Sequence, residues 1–251
     1  MSLEVRKLCK TFINEHSGEK TTVLDAIDLV VENGQFVSII GPTGCGKTTL
    51  LRIIAGLEDA SSGDIYIHDA KPAEPWKQVG FVFQEYALFP WRRVWENIAF
   101  GLEMKGIPLP ERRDRAFDLI KRFGLEGSHD LYPRELSGGM KQRVALARTM
   151  ITDPDIILMD EPFGALDSQT RSQMRQFLFD VWRQSKKTIL FITHSIDEAI
   201  FLSQKVIGFS SRPATCSLEL TIDLPYPRDV TTDTFNIYRR RIITFLDDQK
   251  A

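Results

Sequence analysis

Hydrophobic and polar positions along this chain follow two different periods. Nearly unbroken apolar runs at residues 36–40 (FVSII), 156–159 (IILM) and 188–193 (TILFIT) read as strands buried on both faces. Residues 3–9, 26–32 and 217–224 alternate apolar with polar, the pattern of strands with one covered face. Residues 64–68 (DIYIH), 79–83 (VGFVF) and 205–209 supply three more strands. The helical period appears first at residues 48–57 (TTLLRIIAGL), which are apolar on most sides and so predict a packed helix. It then dominates residues 94–153, where 112–123 is amphipathic and Met140, Val144, Ala147 and Ile151 share one face. Further helices are predicted over 168–185 and 234–246, the latter with Phe235, Tyr238, Ile242 and Phe245 on one side. The sum is an α/β domain interrupted by a helical insert. Between strand and insert, residues 84–97 form an aromatic-rich stretch broken by Pro90.

Composition narrows this only a little. The chain has 251 residues, enough for one large domain, and its 43% hydrophobic content is ample for a core. A net charge of −2 gives no electrostatic reason to expect nucleic acid as a partner. Cys9, Cys45 and Cys216 are an odd number without C-x-x-C spacing, which points to free thiols rather than disulfides or zinc. No apolar run approaches the ~18 residues of a membrane span, and no charged-then-apolar leader opens the chain. The protein is expected neither to cross a membrane nor to be exported.

The candidate chemistry starts at Gly41-Pro42-Thr43-Gly44-Cys45-Gly46-Lys47-Thr48, followed by Thr49. This fits G-x-x-x-x-G-K-[ST] and sits between a buried strand and a helix, the context that such a phosphate loop requires. Glycines there let successive backbone N–H groups turn onto phosphate oxygens, and the helix N-terminus adds partial positive charge. Lys47 is expected to reach the β- and γ-phosphates and the Thr48 hydroxyl to ligate Mg²⁺, with ATP or GTP as ligand. Cys45, inside the loop, is expected to let a thiol reagent block the nucleotide.

Other candidates sit at strand ends. Asp160 and Glu161 follow the apolar run 156–159, at the sheet edge where open α/β sheets bind ligands. Asp160 is expected to hold Mg²⁺ through water, and Glu161 to act as general base toward water. His194 ends the run 188–193 and could approach a γ-phosphate or serve structure alone. Gln84 ends the strand 79–83, where its amide could meet Mg²⁺ or the attacking water, or simply close the strand. Ser137-Gly138-Gly139 opens a helix, either as a second anion site or as an ordinary N-cap with a glycine turn. Phe12 could stack on a base or belong to the core.

The order of these elements resolves into a resemblance. The phosphate loop, Gln84, LSGGM at 136–140, IILMDEP at 156–162, GALD at 164–167 and His194 resemble the nucleotide-binding subunits of ABC transporters over residues 3–213. That resemblance implies an α/β P-loop NTPase fold: a RecA-like core with an antiparallel β subdomain and an inserted α-helical subdomain. It places the core at residues 1–87 and 154–213, the insert at 88–153 and a short tail at 214–251. ATP and Mg²⁺ are the implied cofactors. Two such domains would pair head to tail, each ATP lying between one phosphate loop and the partner's copy of Ser137, Gly138 and Gly139. Phe12 takes the place of the base-stacking aromatic, residues 165–167 that of the D-loop, and His194 that of the water-positioning histidine. Met140 departs from the usual Gln. The same LSGGM, the stretch from Gln84 to Asn97 and the residues 211–214 and 224–229 resemble importer ATPases for nitrate, sulfonate and taurine. The implied partners are an integral membrane permease and, indirectly, a periplasmic or extracellular solute-binding protein, with the subunit peripheral on the cytoplasmic face. Soluble ABC-type ATPases of DNA repair or translation, and P-loop kinases, are the competing classes. The first usually carry two halves or long coiled coils; the second would leave Ser137 and His194 unexplained.

Overall fold

A computed structural model describes residues 2–14 and 16–249. In chain order its elements begin with strands β1 (Leu3–Ile13), β2 (Lys20–Val31) and β3 (Phe36–Ile40), then helix α1 (Lys47–Ile54) and strands β4 (Ser62–Ile67) and β5 (Val79–Val82). Three helices follow, α2 (Val94–Met104), α3 (Leu109–Arg122) and α4 (Gly138–Met150). The chain returns through β6 (Ile156–Asp160), α5 (Ser168–Ser185), β7 (Thr188–Ile192), α6 (Ile196–Leu202), β8 (Lys205–Phe209), β9 (Cys216–Thr221) and α7 (Asp233–Asp248).

The elements build two sheets. β2, β1 and β4 form a three-stranded antiparallel sheet, and the order β5-β6-β7-β3-β8-β9 makes a six-stranded sheet. The latter is parallel except for β9, which pairs antiparallel with β8. All five positions of β3, β6 and β7 are buried, as strands covered on both faces must be. Their side chains alternate between two cores. Val37, Ile39, Ile156, Leu158, Leu190 and Ile192 face the core that holds α1 and the antiparallel sheet. Phe36, Ile40, Ile157, Met159, Ile189 and Phe191 face the other, shared with α5, α6, α7 and the insert. Phe36 meets Trp182 edge to face at 5.6 Å, and the Trp182 indole donates to Gly34 O at 3.1 Å.

Several elements differ from the pattern-based expectation. β1 and β2 run well past the alternating segments 3–9 and 26–32, because left-handed residues Lys7 and Ala26 and shifts of register break the alternation without ending the ladder. α1 stops at Ile54 rather than at Leu57, where Gly56 turns the chain with φ +71°. The helical stretch 94–153 is three helices, and α6 gave no periodic signal because it has only seven residues. Residues 216–221 are the edge strand of the main sheet, and the following segment is pinned under it. Arg228, 5% exposed, donates to the carbonyls of Leu224, Ile200, Ser203 and Ile222, while the Tyr226 hydroxyl donates to Leu202 O. These two side chains satisfy carbonyls that α6 leaves open at its C-terminal end.

Candidate nucleotide site

The loop between β3 and α1 has the shape its glycines allow. Gly46 adopts φ +123°, and a Cβ there would sit 2.8 Å from both Leu24 Cδ2 and Val23 Cγ1, so only glycine fits. No side chain caps α1 at Gly46, which leaves its first N–H groups facing the cleft for an anion. Lys47 is 5% exposed and curls back over the loop, donating to Gly41 O at 2.9 Å and Pro42 O at 2.8 Å. The Cys45 side chain turns inward, 2% exposed. A bulky thiol reagent therefore does not reach it in this conformation, contrary to the expectation from its place in the loop.

Thr48 joins the loop to β6, its hydroxyl donating to Asp160 Oδ1 at 3.0 Å. Burial pushes the Asp160 carboxyl above its ordinary range, against the smaller lowering effect of the Thr48 bond. A buried carboxylate whose ionisation is disfavoured fits a site completed by a cation. Among the described residues no three His, Cys, Asp or Glu side chains gather to hold a metal. Mg²⁺ takes one or two protein ligands and fills its shell with water and phosphate oxygens, and the Asp160 carboxylate beside the Thr48 hydroxyl is a donor set of that kind. The residues present thus fit Mg²⁺-nucleotide.

β6 and β7 bring the next pair together. They run parallel with Asp160 opposite Ile192, so Glu161 and His194 emerge side by side beyond the strand ends. His194 Nε2 lies 2.6 Å from Glu161 Oε1. Gln84, an exposed residue two positions past β5, faces the same space. Thr43, Gly44, Gly46, Lys47, Thr48, Thr49, Gln84, Glu161 and His194 line one cleft of about 340 Å³. Arg212 also lines it, its guanidinium donating to Gly44 O. Sequence reasoning gave Arg212 no role, because its partner is 168 residues away and no local pattern marks it.

Of the expected residues, Gly41, Pro42, Cys45 and Asp160 adjoin this cleft without lining it, and Phe12, Ser137, Gly138 and Gly139 lie away from it within one chain. Phe12 stands near the end of β1, 41% exposed, with Lys10 Nζ over its ring at 4.7 Å. Ser137 is the N-cap of α4, accepting from Met140 N at 3.3 Å, and is exposed. Gly138 packs beside Leu166 and Tyr86, and Gly139 beside Thr170.

A parallel sheet with a phosphate loop and an adjacent carboxylate pair defines a P-loop nucleoside triphosphatase. The ABC transporter family profile matches residues 24–164. An uncharacterised ABC transporter ATP-binding protein of Methanocaldococcus jannaschii is 48% identical over 249 residues, covering 99% of this chain and 92% of that protein. The aliphatic sulfonates import ATP-binding protein of Bacillus subtilis is 43% identical, covering 94% and 90%. The nitrate import ATP-binding protein of Synechocystis sp. is 46% identical, covering 90% and 84%. Among solved structures, a dimeric post-hydrolysis ATP-binding cassette bound to ADP and Pi superimposes with TM-score 0.76 at 33% identity, covering 89% of this chain and all of that one. The chain belongs to the ABC transporter ATP-binding family, the ATPases its motifs resemble.

Proposed function

We propose that this chain is the ATP-hydrolysing subunit of an importer for a small oxyanion of the sulfonate or nitrate class, acting as a head-to-tail dimer. The observation that carries the hydrolytic part is the placement of Glu161 and His194, 2.6 Å apart, in the cleft of the phosphate loop. The solute class rests on the two import proteins of 43% and 46% identity.

In this reading the N–H groups at the start of α1, with Lys47, hold the triphosphate. Thr48, Asp160 and Gln84 would hold Mg²⁺, which would supply positive charge to offset that of the phosphates. Glu161 accepts the proton of a water whose oxygen attacks the γ-phosphorus, as the bond from that phosphorus to the ADP oxygen breaks. His194 orients Glu161 and the γ-phosphate end of the cleft. Phe12 stacks on the base. Ser137, Gly138 and Gly139 act on the nucleotide of the second copy, which agrees with their place outside the cleft of their own chain.

The regions 1–87 with 154–213, 88–153 and 214–251 serve as core, insert and tail. The partner surface lies between core and insert. Phe81 and Phe83, Phe89 and Phe100 line a cleft of about 350 Å³ there, flanked by Arg148. Buried Asn97 fixes the loop beside it, accepting from Phe89 N and donating to the carbonyls of Phe89, Arg92 and Arg93. Trp91 stands 71% exposed on the same loop. An aromatic cleft with an exposed Trp is the chemistry of a protein-binding surface, here for a permease segment at the cytoplasmic face. A solute-binding protein would meet that permease on its other side. The test is reconstitution with a permease and solute-binding protein of the sulfonate or nitrate class: alkanesulfonate or nitrate should raise ATP turnover, and indifference to both would remove the solute assignment.

A further inference from the structure

Behind the nucleotide cleft lies a second cavity, of about 310 Å³. It shares Gln84, Glu161 and His194 with the cleft and extends past them to Arg171, Thr193 and Glu198. Glu198 is 4% exposed and takes no part in the hydrolysis described above. Burying a carboxylate costs free energy unless its oxygens are well paired, so its partners indicate its use.

Those partners surround His194. One Glu198 oxygen accepts a hydrogen bond of 2.5 Å from the Thr193 hydroxyl. That hydroxyl oxygen accepts the Ser195 N–H at 2.9 Å, and the Ser195 hydroxyl accepts the Glu198 N–H at 3.3 Å. His194 is the one residue between these two anchored neighbours. Its backbone is fixed on both sides while its ring reaches out to Glu161. The Ser195 cap alone would suffice to start α6. Glu198 stands at the capping-box position of that helix, yet the Ser195 N–H goes to the Thr193 hydroxyl, so the carboxylate is used on that hydroxyl instead of on the helix end.

The second Glu198 oxygen faces Arg171 Nε at 3.9 Å, and Arg171 Nη2 donates to Leu166 O at 2.8 Å. Arg175, one helical turn on in α5, adds a second positive charge toward Glu198. Arg171 thus meets Glu198 as a charge at 3.9 Å and not through a hydrogen bond, while its other end is bonded to Leu166 O, so the link from residues 164–167 to the turn that carries His194 is electrostatic at that step.

We propose that Glu198 is a positioning residue that holds His194 against Glu161 through the Thr193 hydroxyl and ties that turn through Arg171 to residues 164–167. It touches neither nucleotide nor water, and its effect runs through His194. The inference rests on the role given to His194 above.

The test compares Thr193→Val, which removes the hydroxyl at nearly constant shape, with Thr193→Ser, which keeps it. Thr193→Val should lower kcat by roughly tenfold or more while ATP affinity stays within about twofold, because small misplacements are costly at the reacting centre and not at the phosphate loop. Thr193→Ser should recover kcat to within about threefold of wild type. Glu198→Ala should match Thr193→Val, and the double variant should be no worse than the worse single, since the two act as one unit. Wild-type kcat in Thr193→Val, or losses that multiply in the double variant, overturns the proposal. If Glu198→Ala is unstable, the two Thr193 variants and NMR of the His194 imidazole decide. A His194 resonance and titration identical in Thr193→Val and wild type also overturns it. His194→Ala separates the two levels: if it turns over normally, the role of His194 itself fails. If it is inactive while Thr193→Val is fully active, only the proposal about Glu198 fails.

Discussion

His194 Nε2 and Glu161 Oε1 stand 2.6 Å apart although 33 positions separate them, because β6 and β7 lie side by side in parallel register. Glu161 adopts a left-handed backbone, φ +45°, as it leaves β6. A non-glycine residue held there is uncommon, and such strain gathers at functional sites. The pair is the most direct statement the structure makes about chemistry.

Glu161→Gln should therefore retain ATP and lose turnover by at least ~10²-fold, since an amide keeps the shape and takes no proton. ATP should then trap the dimer, seen as a doubling of apparent mass in gel filtration. Turnover near wild type in this variant would remove Glu161 as the base.

Lys47→Ala should fail earlier, at binding. The ammonium is held over the loop by Gly41 O and Pro42 O, placed for a charge-assisted bond to phosphate. Titration with a fluorescent nucleotide should show affinity reduced by roughly tenfold or more, the worth of one or two such bonds. Retained affinity would place the phosphates elsewhere.

Ser137→Arg tests the shared site. Ser137 is exposed and lies outside the cleft of its own chain, so the bulky substitution should leave ATP binding by one subunit intact and block ATP-driven pairing. Light scattering of the Glu161→Gln background with and without Ser137→Arg measures this. Undiminished pairing would exclude the head-to-tail arrangement.

Asp160 and Glu198 give the molecule a pH signature. Burial raises both carboxyl groups above their ordinary range. With a raised folded pKa the native state binds more protons than the unfolded state, so stability falls as pH rises from the ordinary carboxylate range through the raised values. Asp160→Asn removes one such group. In nucleotide-free protein it should raise Tm by on the order of 2 °C, while removing the further gain that Mg²⁺-ATP gives wild type. Calorimetry with and without Mg²⁺-ATP reads both effects. An unchanged Mg²⁺-ATP gain in Asp160→Asn would show that Asp160 does not face the metal.

The aromatic cleft between core and insert predicts a binding phenotype. Trp91→Ser should leave the fold intact, because the side chain is 71% exposed, and should reduce co-purification with the permease severalfold, as loss of an exposed Trp anchor does. Unimpaired co-purification would move the docking surface away from this loop.

The sequence by itself determined the local machinery. A phosphate loop needs a strand, a glycine turn and a helix within about twenty residues, and all three signals sit in residues 36–57. The buried strands β3, β6 and β7 were legible for a like reason: being covered on both faces makes the whole run apolar. Glu161 and His194 could be marked as strand-end candidates, and Ser137 as a cap, because each carries its own local sign. Tertiary structure decided which of them meet. Strand order β6-β7-β3 places the loop, Glu161 and His194 at one edge, and nothing along the chain encodes that order locally. The same holds for Arg212 on Gly44 and for Arg171 beside Glu198. These contacts come from packing distant segments around two cores, where burial and hydrogen-bond satisfaction select the neighbour whatever the distance along the chain.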